Sequence, residues 1–261
     1  LVNLEHWRTL DQWLQLFAGT TLEDHPQVVV LELWRRGFRR PASRSILTLL
    51  DEAETKLSQT SVDQAAAGQL QGEIDFLRAY QHAMLGDAQR SQLCAERALT
   101  QLPDKNYGMI ANLHTMIAIG YFESGAGIQA RQYIDRELAR APSHQSLYHA
   151  RLMLAHCLMQ WWEADLSNLA QSAAQLLKHA HESGQPESVA IGRFLHGCLH
   201  YSRNELTAVE EHLADIVRDF VGSENYVYFN ATVLTLTYLA MNRADEAQNV
   251  VDSVVEFSLA M

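Results

Sequence analysis

Apolar residues recur along this chain at three- and four-residue intervals, in stretches of ten to twenty, with no run of strict alternation. Leu4 to Phe17, Gln27 to Arg36 and Ser45 to Leu57 each read as an amphipathic helix, with Pro26 and Pro41 marking boundaries. Beyond them Met109–Phe122, Ala130–Leu138, Val189–Tyr201 and Ala208–Phe220 show the same period. Five short breaks interrupt this pattern: Leu85-Gly86-Asp87, Ser124-Gly125-Ala126, Glu163-Ala164-Asp165, Arg203-Asn204-Glu205 and Asn242-Arg243-Ala244. They lie roughly 39 residues apart, a period in the range of helix-pair repeats and longer than the roughly 34 of a tetratricopeptide unit.

A helix precedes each break and another follows it, so the unit is helix, turn, helix. Stop and start signals separate the units at Leu102-Pro103-Asp104, Ala141-Pro142-Ser143, Gly184-Gln185-Pro186 and Gly222-Ser223-Glu224. The expected fold is all-α: tetratricopeptide-like helix pairs stacked into a right-handed superhelix, an α-solenoid, over a single domain 1–261. Residues 1–25 would form a capping helix and 26–261 about six pairs. Ala95, Ala98, Ala130, Gly197, Ala208 and Ala247 fall where paired helices must approach closely. The first helix of each pair would line a concave groove, and function is expected there.

Composition narrows the function. Gly and Pro number only 13 and 5 among 261 residues, as long helices with short connections require. The formal charge is −11 and the only lysines are Lys56, Lys105 and Lys178, which argues against direct binding of nucleic acid. No apolar run is long enough for a bilayer span and no charged leader opens the chain. The three cysteines, Cys94, Cys157 and Cys198, lie in apolar helical stretches and read as reduced thiols of a cytoplasmic protein. The chain starts at Leu1 almost directly in an amphipathic helix, as a segment cut from a longer protein would.

The stretch Leu199-His200-Tyr201-Ser202-Arg203-Asn204-Glu205-Leu206, followed by Ala208 and Glu211-His212-Leu213, is more specific. It resembles a phrase that recurs in the late repeats of the sensor region of LuxR-type, MalT-like ATP-dependent transcription activators. Ser202 and Val209 depart from the phrase. Trp13-Leu14, Trp34, Ala53-Glu54, Leu77-Arg78-Ala79 and Ala98-Leu99 look similar to the same family. The resemblance implies a bacterial signal-sensing module flanked, in its parent chain, by an ATPase and a helix-turn-helix domain. No phosphate-binding loop occurs in this chain, since no glycine precedes a lysine. No cofactor is therefore expected here, ATP belonging to the flanking domain.

Candidate groove residues are the aromatics at the ends of first helices, Phe122, Trp161, Trp162 and Tyr201, with Arg151 and Arg203 as planar donors to a carboxylate or phosphate. The plainer readings are core packing for the aromatics and surface pairing with Glu163, Asp165 or Glu205 for the arginines. His196 and His200 share a helix face, but the spacing shows no third ligand, so no metal site is expected. His179 and His181 read as favouring a helix C-terminus, and Glu205, Glu210, Glu211 and Asp215 as the solvated side of one helix. No nucleophile elbow or paired-carboxylate pattern occurs, and no enzyme activity is expected. The expected partner is a small-molecule inducer or a regulatory protein in the groove. The alternative is a generic tetratricopeptide protein-docking scaffold. Self-association through an uncapped last repeat, near Val254-Val255-Glu256-Phe257, is also left open.

Overall fold

The computed structural model describes residues 7–19, 25–37, 42–60, 62–141, 146–183, 186–219 and 224–259. Among these residues the secondary structure is thirteen helices with no strand. They divide into two compact units, residues 1–148 and 149–261.

In the first unit α1 (Trp7–Phe17) is followed by α2 (Pro26–Gly37), α3 (Arg44–Gln59), α4 (Gln64–Met84), α5 (Ala88–Leu99), α6 (Tyr107–Glu123) and α7 (Gly127–Arg140). α8 (Ser146–Trp162) begins at its end and runs into the second unit, which continues with α9 (Leu166–Ser183), α10 (Pro186–Ser202), α11 (Leu206–Arg218), α12 (Glu224–Ala240) and α13 (Ala244–Leu259). Each predicted helix is present, extended by one to three residues at most described ends. The expected starts before Trp7, and the stop signals at Pro142-Ser143, Gly184-Gln185 and Gly222-Ser223, lie outside the described residues.

Helices pack on their neighbours in chain order: α2 on α3, α4 on α5, α6 on α7, α10 on α11, and α12 on α13. The first members of successive pairs also touch, α2 with α4, α4 with α6, and α10 with α12. That contact buries α4 and α6 on more than one side. Their apolar positions accordingly run around the helix instead of along a stripe, with Ile74, Phe76, Leu77 and Ala79 all inaccessible on α4. The second members, such as α5 and α11, keep one apolar stripe; on α11 it is Val209, Leu213, Ile216 and Val217.

The five predicted breaks adopt one geometry. Gly86, Gly125, Ala164, Asn204 and Asn242 have φ of 78°, 84°, 58°, 60° and 59°, at intervals of 39, 39, 40 and 38 residues. In each, the next residue's amide donates to the carbonyl five residues back, as in Asp87 to His82 at 2.8 Å and Glu205 to His200 at 2.9 Å. This is the left-handed Schellman closure of a helix C-terminus. The following helix starts within two residues, so the turn fixes how each pair folds back.

Most of the small residues expected at the close approaches are buried. Ala95, Ala98 and Ala130 are inaccessible and Ala247 nearly so. Ala208 departs from the expectation: it is half-buried, and Val209 points into the core instead.

Candidate functional site

The six expected groove residues are divided between the two units. Phe122 stands half-buried at the end of α6 in the first unit, and the other five belong to the second. Arg151 departs from the expectation of a surface guanidinium: it is 2% exposed inside α8. Its place one residue after Ala150 on a helix buried on several sides explains this, because such a helix has almost no solvent face.

Trp161, Trp162 and Tyr201 fare differently. Trp161 Nε1 donates to Ser202 Oγ at 3.2 Å, tying the end of α8 to the end of α10. Its ring meets Phe194 of α10 edge-on, centroids 6.3 Å apart, and Phe194 in turn meets Phe229 of α12 at 5.7 Å. An aromatic ribbon thus crosses α8, α10 and α12, the first helix of each pair in this unit. On the same three helices Trp162 is 41% exposed, Tyr201 36% and Phe229 39%. Leu236 and Leu239 add further exposed apolar surface on α12. Phe194 and Phe229 escaped the sequence reading because periodicity places them on the same helices as core residues. Only the contact between first helices reveals which side is shared.

Arg203 lies at the turn after α10 and donates to the Leu166 carbonyl at 3.2 Å, the first residue of α9. It binds backbone instead of the expected acids. Acids on and just before α11 are engaged too. Glu210 accepts from Arg243 Nη1 at 2.6 Å and from the Tyr238 hydroxyl at 3.1 Å, and Asp215 takes Arg193 at 2.6 Å. Glu205 meets His200 Nδ1 at 2.6 Å. Three of the four acids expected on the solvated face of α11, Glu205, Glu210 and Asp215, thus also bond to neighbouring residues, while Asp215 and Glu205 stay about half exposed and Glu211 is exposed.

The first unit holds a recess of about 340 Å³ lined by Asp51, Glu54, Arg78, His82, Arg90 and Arg97, with Leu93 and Cys94 at its wall. Asp75 is 1% exposed. It accepts from Arg78 at 2.9 Å and Arg97 at 2.6 Å, while Arg78 also reaches Asp51 and Glu54 at 2.9 and 2.8 Å. Arg90 pairs with Asp87 at 3.3 Å. Its arginines are answered by its own carboxylates, so it offers a small anion little uncompensated charge. Burial pushes the Cys94 thiol up, and Cys157 and Cys198 up to about 12, so all three free thiols are held protonated and unreactive.

No protein family matches the chain. Neither curated proteins nor solved structures show significant similarity to it.

Among the described residues no helix is long and apolar enough to cross a membrane.

Proposed function

We propose that this chain is the signal-sensing helical-repeat module of a bacterial LuxR-type, MalT-like ATP-dependent transcription activator, built of tetratricopeptide-like helix pairs. It carries no catalytic machinery of its own in this reading and works in the cytoplasm. The inducer would lie on the side of the second unit formed by α8, α10 and α12.

One observation carries the proposal: the Trp161, Phe194 and Phe229 rings form a continuous ribbon across three successive first helices, with Trp162 and Tyr201 exposed at the ends of two of them. Flat apolar faces with polar edges suit a sugar, an acyl group or an aromatic metabolite. Holding such a ligand would fix the relative positions of α8, α10 and α12. A ligand that favours one arrangement of those helices shifts the population toward it, and flanking domains could read that shift. The phrase at Leu199–Leu213, which resembles the late repeats of that family, supports the same assignment.

The test is a thermal-shift screen of sugars, amino acids and acyl compounds, with Trp fluorescence as a second readout. A cognate metabolite at a hundred times its Kd raises stability by about 2.7 kcal/mol through linkage. Trp161→Ala should abolish that shift. Exposed Phe229, Leu236 and Leu239 favour the docking-scaffold alternative if the metabolite screen is empty while a peptide array binds and loses binding with Phe229→Ala.

A further inference from the structure

His196 and His200 lie one turn apart on α10, and His212 is on α11, the second helix of the same pair. Gly197 brings the two helices together. A Cβ there would stand 2.7 Å from Leu213 Cδ1 and 3.1 Å from Leu213 Cγ, so the absent side chain sets how near α11 can come. Gly197 and Leu213 are the chain neighbours of His196 and His212, and their contact draws those histidines face to face. The third imidazole that the linear spacing did not show is thus supplied by tertiary packing.

The three rings form a triangle with centroids 6.2, 5.2 and 5.1 Å apart. One nitrogen from each lies within 4.8 Å of the others. Zinc–imidazole bonds of about 2.0–2.1 Å at tetrahedral angles put ring centroids about 5.2 Å apart and ligand nitrogens about 3.3 Å apart. Two of the three centroid separations already match, although those ring pairs are stacked with interplanar angles of 22° and 13°. Turning the rings about their side-chain bonds, with a small closure of His196 on His200, would complete the set.

The nitrogens not needed for a metal are already oriented. Glu205 Oε2 sits 2.6 Å from His200 Nδ1, the carboxylate–histidine arrangement that fixes the tautomer and leaves Nε2 to coordinate. His196 bonds to the Ala173 backbone, while its Nε2 is buried with no hydrogen-bond partner. A buried nitrogen left in that state is destabilising unless something occupies its lone pair.

We propose that His196, His200 and His212 bind one zinc ion, which clamps α10 to α11 and keeps a fourth coordination position for water or an exchangeable ligand. The all-imidazole donor set selects zinc and its transition-metal neighbours over calcium or magnesium. The acids Glu205, Glu211 and Asp215 offset part of the added dication charge.

The experiment is zinc titration of the chelator-stripped 261-residue chain by calorimetry, with cobalt(II) absorption as an independent readout. The expected result is one zinc per chain and the intense visible bands of low-coordinate cobalt. His212→Gln should weaken binding at least tenfold, and Glu205→Gln, which keeps all three ligands, about 10–100-fold. His179→Gln should change nothing, although His179 packs against His149 at 5.4 Å in a comparable histidine pair. Binding that survives both His196→Gln and His212→Gln, or its absence from the unaltered chain, overturns the proposal. Should His196→Gln fail to fold, six-coordinate cobalt spectra from the unaltered chain overturn it equally.

Discussion

Ala164 occupies a backbone position that suits glycine. Its φ of 58° is matched by glycine at Gly86 and Gly125 and by asparagine, which tolerates that region, at Asn204 and Asn242. The turn is exposed, so nothing but the backbone opposes the change. Ala164→Gly should stabilise the second unit by about 1 kcal/mol, read as a higher denaturation midpoint with unchanged slope. Glu73 is a different residue-scale device. Burial raises its pKa, against hydrogen bonds from Gln69 and from Trp34 Nε1, the latter at 3.0 Å. A carboxyl whose folded pKa exceeds its unfolded one stabilises fully below the unfolded value of 4.5, and that contribution is lost as pH rises through the folded value. Glu73→Gln should therefore gain stability relative to the unaltered chain as pH rises above 4.5. Urea melts across that range check the sign, and a constant difference would refute it.

At the scale of elements, the recurrent device is a side chain on one helix satisfied by the next. Arg78 of α4 joins Asp51 and Glu54 of α3, and Asp75 of α4 is shared with Arg97 of α5. Arg78 has an 11% exposed side chain and Arg97 a 55% exposed one. Removing Arg78 strips the buried Asp75 carboxylate of its shielded partner, whereas the Arg97 contact is already open to water. Arg78→Ala should cost about 3 kcal/mol and Arg97→Ala about 1 kcal/mol or less, measured by chemical denaturation. The turns were legible beforehand because Gly86, Gly125 and Asn204 advertise a left-handed residue. Arg78, Asp75 and Glu210 were not, because a charged residue in an amphipathic pattern looks the same whether it meets water or the next helix. Arg151 shows the reverse error, a charge assigned to the surface because its helix was treated as one-sided.

Over the whole molecule, the period of about 39 residues fixes the order in which helices pair, and the −11 formal charge bears on which ligands it can meet. The sequence by itself determined that the chain is helical, where its helices begin and end within a few residues, and which five positions reverse its direction. Those properties depend on neighbours a few residues apart, and a one-dimensional pattern records them directly. Only tertiary structure decided that Trp161, Phe194 and Phe229 form one ribbon, that Asp75 is shared by two arginines, and that His212 joins His196 and His200. Each of these needs at least one contact between side chains 12 to 35 residues apart, carried to one place by the angle and closeness of packed helices. Gly197 signals a close approach, but not which imidazole will be waiting on the other side.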